Sequence, residues 1–312
     1  MSASVRPEGV AASLPQPADD GLFGPDSVTW RVMVSPAGPI GTATAVLAQM
    51  LHPRVSGLLA QASTFERNPG LRAELTTQYA TTTTYGDTEA AERAGAALRR
   101  LHSRMKATDP NTGEEYTANE PDLLRWVHVT IPWALLRAFD RWGPTLTPEE
   151  KDRFVDEQRV AARLVGLDPA TVPATFADLE ASIQEMMPKL AYTTAAGRIR
   201  AIMVPRTVPR SITDVVTRVV QLAAVDVLPR EMRELYGYWW GPVQRGALGL
   251  ASTGIIRAAA SKAPSYDQVL PKMREQATTH AFGARALRVN REMRKQDPAG
   301  ASATPENERA AD

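Results

Sequence analysis

Residues 147–166 read TPEEKDRFVDEQRVAARLVG, and this stretch carries the signals of an α-helix at both ends. Thr147 is a typical N-cap residue, Pro148 stands at the first helical position, and Glu150 is placed to complete a capping box. Apolar residues then recur every three or four positions up to Gly166, which is a typical helix stop. The stretch therefore predicts a helix that begins after Thr147 and ends at Gly166.

The same period of apolar side chains continues along most of the chain, whereas alternating β-branched runs between hairpin turns are missing. We therefore expect an all-α fold, a single large helical domain of about ten helices. Further helices are predicted at about 38–51, 71–83, 88–107, 120–140, 174–188, 209–226, 229–239, 243–262 and 266–295. Short, turn-rich connections such as 109–113 and 143–145 predict no boundary between two domains.

Both ends of the chain are rich in Ala, Pro, Ser, Glu and Asp, so we expect tails at 1–20 and 291–312 around a folded body at 21–290. The first twenty residues have neither a basic opening nor an apolar core, and a cytoplasmic location is predicted. The stretch 247–260 is weakly polar but shorter than the roughly 20 apolar residues that cross a bilayer. We expect no transmembrane segment, and a buried core helix at 247–260.

Composition excludes several classes of function. Lys+Arg 36 against Asp+Glu 35 gives a net charge of +1, so nucleic acid is not an expected partner. With no cysteine, the chain has no disulfides, zinc fingers or thiolate-bound iron. The Walker loop, the GxGxxG turn, the GxSxG elbow and HExxH are missing as well. A metal would need histidine, carboxylate or other oxygen ligands.

Of the four histidines, His102 and His128 are predicted to face the interior of their helices. Small residues at 94–97 precede His102 and would let a flat bulky group or another helix approach closely. A buried imidazole needs a partner, which could be a metal such as iron or a backbone carbonyl. His128 lies four residues before Pro132, which removes a helical hydrogen bond; this pattern occurs beside ligands and in plain packing. His52, before Pro53, suggests a cap or turn, and His280 suggests the surface.

Arg72 and Thr76 lie one turn apart on one helical face. A guanidinium beside a hydroxyl can hold a carboxylate or polarise dioxygen. The alternative is an exposed arginine with a threonine that bonds its own backbone. The residues alone leave both interpretations open.

Seven segments in order resemble the rubber oxygenase catalytic domain family, which includes latex clearing protein and the MpaB-type oxygenases. They are HPRV (52–55), PGLRAELTTQY (69–79), YGD (85–87), LRRLHSRM (98–105), GEEYTANEPDLLRWVHVT (113–130), LTPEEKDRF (146–154) and LPREMRELYG (228–237). The resemblance covers about residues 25–250, and it rests on the order and spacing of the seven segments, because no single one is specific.

The resemblance implies a globin-like helical core, a haem b group held by a histidine, and oxidation of a hydrophobic substrate by dioxygen or peroxide. It assigns His102 as the ligand of the iron and places Arg72 and Thr76 on the distal side. We add Leu75, Leu98, Met105 and His128 as candidate haem-contacting residues, with His128 also a candidate catalytic group. An electron donor is left open.

Two features depart from the family. A distal lysine of latex clearing protein is replaced here by Leu75, and Ala62 stands near the place where relatives commonly have a second histidine. The predicted function is a haem b-dependent oxygenase that acts on an isoprenoid- or lipid-like substrate at a carbon–carbon double bond. An imidazole ligand donates less electron density than a thiolate, which favours alkenes over unactivated C–H bonds. The alternatives are a haem- or lipid-binding protein without turnover and a helical interaction protein.

Overall fold

The capping box predicted at Thr147 is present. The Thr147 hydroxyl accepts a hydrogen bond from the Glu150 amide at 3.2 Å, and the Glu150 carboxylate accepts one from the Thr147 amide at 2.9 Å. Gly166 ends the helix in the left-handed conformation, with φ of 96°. The helix predicted from this stretch is therefore confirmed at both ends.

The computed structural model describes residues 17–63, 65–279 and 282. In chain order the helices are α1 Val28–Met33, α2 Gly38–Met50, α3 Pro53–Ala62, α4 Pro69–Tyr85, α5 Thr88–His102, α6 Pro121–Trp142, α7 Pro148–Val165, α8 Phe176–Met186, α9 Thr194–Met203, α10 Ile212–Val227, α11 Arg230–Leu235, α12 Pro242–Lys262 and α13 Tyr266–Thr279. Strands β1 Lys106–Thr108 and β2 Glu115–Thr117 form one antiparallel hairpin. The all-α fold is confirmed, and the globin-like core stays a prediction.

The tail predicted at 291–312, most of that at 1–20, the end of the last predicted helix and His280 lie outside the described residues.

Helices α2 and α6 form the centre of the core. A Cβ added at Gly41 of α2 would lie 2.9 Å from the Leu135 Cα of α6, so the two backbones nearly touch. Trp126 and Trp133 of α6 are almost completely buried. α6 continues through Pro132, and its long buried surface makes it the element around which the other helices pack.

Helix α7 supports both α5 and α6. A Cβ at Gly95 of α5 would meet the Leu164 carbonyl oxygen at 2.9 Å, and Leu124 of α6 shares a buried apolar cluster with Ala162 of α7. The small residues at 94–97 were predicted to admit a flat group or another helix. At Gly95 the structure shows a helix.

We expect Gly95→Ala to destabilise the protein by about 1–3 kcal/mol, because the methyl group would push against a backbone carbonyl. This is opposite to the gain of roughly 1 kcal/mol that alanine normally brings to a helix interior. Urea unfolding of the variant and of the unmodified chain measures the size and the sign of the change in the free energy of unfolding. Gly246→Ala in α12, where an added Cβ has no atom within 4 Å, is the matched control and should be neutral or stabilising.

Two expectations were wrong in detail. The helix predicted at 88–107 ends at His102, because the chain turns there to enter β1, and β1 and β2 were not predicted. With only three residues each, these strands are too short to show a clear alternation. Met105 is therefore not on the helix of His102, and it packs in the main core with Ala107 and Tyr116.

The buried core helix expected at 247–260 is also wrong. The helix exists as part of α12, but among its residues only Ser252 and Ile256 are buried. Leu250 is 79% exposed, so the apolar composition of α12 does not reflect burial.

Candidate functional site

Arg72 and Thr76 interact on one face of α4. Arg72 Nη1 donates to the Thr76 hydroxyl at 3.3 Å, and that hydroxyl donates to the Arg72 carbonyl at 2.9 Å. The threonine bonds its own helix, as the alternative interpretation predicts, and it also accepts from the guanidinium; the role of the pair toward a ligand stays a prediction. The Arg72 guanidinium is the donor that this pair offers to a ligand, because the single Thr76 O–H is already used by the Arg72 carbonyl.

The Arg72 guanidinium has no carboxylate partner among the described residues. Burial lowers the pKa of Arg72, which indicates that its charge is poorly solvated. An enclosed, unpaired charge is energetically unfavourable unless a ligand neutralises or solvates it. The position therefore suits a carboxylate or an oxygen-rich ligand.

His102 is the last residue of α5 and is only partly exposed. Burial, followed by the nearby Arg72 charge, lowers the pKa of His102 to about 4. The ring is therefore neutral at pH 7 and keeps a free lone pair, as a metal ligand requires. The effect of Arg72 on this pKa also shows that the two side chains lie near each other.

The packing interpretation of His102 requires a hydrogen bond to a carbonyl. No such bond exists in the described part of the chain, and Nδ1 is buried without a partner. Nε2 makes no hydrogen bond there either, yet it is not a buried atom. The imidazole is therefore neutral, unpartnered and accessible through one nitrogen.

Apolar side chains flank this group. Leu75 of α4 packs with Ala94 and Ala97 of α5, and Leu98 contacts the same cluster. The structure thus brings together Arg72, Thr76 and His102, with Leu75 and Leu98 beside them. Met105, in the main core, is separate from this cluster.

His128 lies on α6, and burial alone lowers its pKa to about 4. Its ring makes no hydrogen bond to any described residue, and neither nitrogen is fully buried. His128 is partly exposed. No charge from the His102 group contributes to this pKa, so the structure does not place His128 against Arg72.

Helix α7 is the shared neighbour of the helices that carry His102 and His128. Among the described helices, α4 packs on α5 and α13, while α6 packs chiefly on α2. Neither α4 nor α5 packs extensively on α6, although α5 and α6 share α7 as a neighbour.

His128 should make the stability of the ligand-free protein depend on pH. Its pKa of about 4 is below the ordinary value of 6.5. Between pH 6.5 and pH 4, His128 is therefore protonated in the unfolded chain but neutral in the folded chain. The free energy of unfolding should fall by about 3 kcal/mol as pH decreases from 6.5 to 4 and be unaffected above 6.5. His128→Asn should remove this fall in the free energy of unfolding, as measured by urea unfolding at pH 6.5 and at pH 4. Equal pH dependence in the two proteins would contradict the assignment.

Two buried polar groups were missed by sequence reasoning. His52 is the N-cap residue of α3, as expected, but its side chain makes no cap bond and Nδ1 is buried without a partner. Asn119 donates to the Arg99 carbonyl and so ties the segment before α6 to the last turn of α5, which carries His102. Residue spacing gives no signal for either contact.

A metal site built only from side chains is not present in the described residues, where no three histidine or carboxylate groups cluster. A porphyrin brings four nitrogen ligands of its own, so a single histidine is enough to hold its iron. Within the same residues no helix combines the length and apolar character needed to cross a bilayer.

Comparison with known families gives one match. The model described as "ER-bound oxygenase mpaB/B'/Rubber oxygenase, catalytic domain" matches residues 30–258, which include every side chain of this site. Curated proteins and solved structures give no match.

Proposed function

The chain belongs to the family of mpaB/B' and rubber oxygenase catalytic domains and is therefore an oxygenase, and we propose that it is a haem b-dependent oxygenase acting on a hydrophobic, isoprenoid- or lipid-like substrate. The observation that carries the haem assignment is the neutral imidazole of His102, which has no hydrogen bond in the described chain. His102 is the proposed ligand of the iron.

The residues present fit a haem group. Leu75 and Leu98 are apolar, as a macrocycle requires, and the unpaired Arg72 suits a carboxylate or dioxygen. When bound, haem b supplies the redox chemistry with dioxygen. The chain would supply the His102 nitrogen to hold the iron, the Arg72 hydrogen-bond donors and control of access.

Arg72 is the proposed donor to the oxygen atoms that gain negative charge during the reaction, and Thr76 is proposed to hold it in place. Arg72 is held by Thr76, which fixes the direction of its remaining N–H groups. Donors oriented before the reaction stabilise developing charge without reorganisation. His128 is proposed to line the same pocket from α6, and its neutral ring could accept or donate one hydrogen bond there.

The experiment is oxygen consumption and product analysis with an unsaturated isoprenoid or fatty substrate. The haem-loaded protein should consume dioxygen and form an oxygenated product. Arg72→Leu should retain haem and lower kcat by about 100-fold, the usual cost of losing one oriented donor. Arg100→Leu, which alters an exposed arginine on α5, is the control and should leave kcat unchanged.

Haem binding without product would favour the alternative, a haem- or lipid-binding protein without turnover. Leu75 is the residue that favours this alternative, because it replaces the distal lysine of latex clearing protein. A colourless protein that ignores added haemin would refute the haem assignment itself.

A further inference from the structure

Helices α10 and α12 pack against each other and form the α10–α12 hairpin, defined here as residues 205–227 with 242–262. Asp226, near the end of α10, pairs with Arg245, near the beginning of α12, at 2.7 Å. The beginning of α10 therefore lies toward the end of α12. Residues 212–217 and 257–262 are exposed on every side of their helices, so this end of the hairpin projects from the body.

The exposed face of α12 is apolar. Val243, Leu250 and Arg257 follow at intervals of seven residues and share one face, with Ala247 and Gly254 between them. Ser252 and Ile256, the two buried residues of α12, lie on the opposite face toward the core. A solvent-facing stripe of this composition is the reverse of what an ordinary surface helix shows.

Other large apolar side chains extend this surface. Exposed fractions are 82% for Val208, 84% for Ile212 and 71% for Trp239, against 82% for Val243 and 79% for Leu250. Single exposed aliphatic residues are ordinary, but several on one projecting hairpin and the segment beside it are characteristic of an interaction surface.

The loop before α10 and helix α12 carry basic residues, while the acidic residues nearby are Asp214 at the beginning of α10 and Glu234 in the lining of the adjoining cavity. The loop before α10 carries Arg206 and Arg210 without an acidic residue, and α12 carries Arg245, Arg257 and Lys262 without one. The two acids of α10 are both engaged, because Asp214 accepts from backbone amides and Asp226 is buried between arginines. The surface therefore presents apolar and basic groups together.

A cavity of about 610 Å³ lies at the Trp239 end of the stripe. Its lining includes Arg230, Arg233, Glu234, Trp239 and Trp240, and Arg230 pairs with Glu234 at 2.6 Å. Arg233 is 6% exposed and donates through Nη1 to two backbone carbonyls, with no carboxylate paired to it in the described chain. An arginine beside tryptophans at the edge of an apolar face is the combination that phosphate headgroups and the membrane interface favour.

We propose that the exposed face of the α10–α12 hairpin docks on an anionic lipid surface. The hairpin lies flat in the interface, with Leu250 and Ile212 among the acyl chains and the basic side chains against the headgroups. A protein partner with an apolar, acidic face is less favoured, because the exposed apolar groups are spread along a line rather than gathered in a groove. The inference does not depend on haem or on the proposed oxygenase reaction.

The experiment is co-sedimentation of the full chain, without haem, with vesicles of phosphatidylcholine alone or mixed with phosphatidylglycerol. The chain should bind the mixed vesicles more tightly, and high salt should weaken the binding. Ile212→Asp and Leu250→Asp should each lower the partition coefficient by about tenfold or more, as expected from losing one large buried aliphatic group. Arg206→Glu should weaken binding to the mixed vesicles only.

Val160→Asp on α7 is the matched control, because Val160 is also an exposed aliphatic residue, 37% exposed, but lies outside the hairpin. It should bind as the unmodified chain does, and unchanged thermal unfolding will show that all variants fold. Three results would overturn the proposal. The first is that the chain binds neither vesicle, and the second is that Leu250→Asp binds as well as the unmodified chain. The third is that the chain is a dimer that Leu250→Asp converts to monomers. Loss of haem binding or of turnover affects none of these measurements, so the proposal and the proposed function can fail separately.

Discussion

Replacing His102 by alanine should abolish tight haem binding while leaving the ligand-free fold intact. The apparent Kd for haem should rise by more than about 100-fold, because removal of an outer hydrogen-bond partner alone already costs a metal site roughly 10- to 100-fold. The Soret band should weaken or shift, and added imidazole should restore part of it. Haem titration followed by absorbance, with and without dithionite, measures these changes.

The fold should tolerate His102→Ala because the side chain makes no hydrogen bond in the described chain and its buried Nδ1 is unsatisfied. Removing a buried group that lacks a partner costs less than removing one that is bonded. His52→Ala is the control, since His52 also has a buried, unpartnered Nδ1 but no arginine–threonine pair beside it. An unchanged spectrum and unchanged haem affinity in His102→Ala would remove His102 from the role of ligand.

Local signals predicted most of the helices, and they failed where a tertiary contact decides the outcome. The Thr147 capping box and the Gly166 stop are complete within one segment, so both helix ends were predictable. The end of α5 at His102 was not, because it depends on β1 pairing with β2. Helix α3 was not predicted, although Pro53 occupies its first position. α1 and α9 were missed, and Gly197 weakens the helical signal of α9.

The candidate site shows the same division. Sequence periodicity predicted that His102 and His128 face inward, and their lowered pKa values agree with this. Their missing hydrogen-bond partners could not be predicted, because partners come from other helices. For α12 the composition was misleading, since whether an apolar helix is buried depends on what covers it.

A buried carboxylate anchors the base of the α10–α12 hairpin. The Asp226 side chain is completely buried, its Oδ2 pairs with Arg141 of α6, and its Oδ1 accepts from Arg245 of α12 at 2.7 Å. Arg233 of α11 donates to the Asp226 and Leu228 carbonyls. One residue thus connects α6, α10, α11 and α12.

Asp226→Asn should lower the free energy of unfolding by about 3–5 kcal/mol, because two arginines would lose the carboxylate between them while remaining partly desolvated. The amide nitrogen of asparagine would also face a guanidinium, which offers no acceptor. Urea unfolding at neutral pH measures the change. Asp156→Asn is the control: its pair with Arg159 joins residues of one helix, and its carboxylate is 62% exposed, so a loss below about 1 kcal/mol is expected. If Asp226→Asn cost no more than this control, the ion-pair cluster would not hold the hairpin to the body, and the apolar core contacts of α10 and of Ile256 would hold it instead.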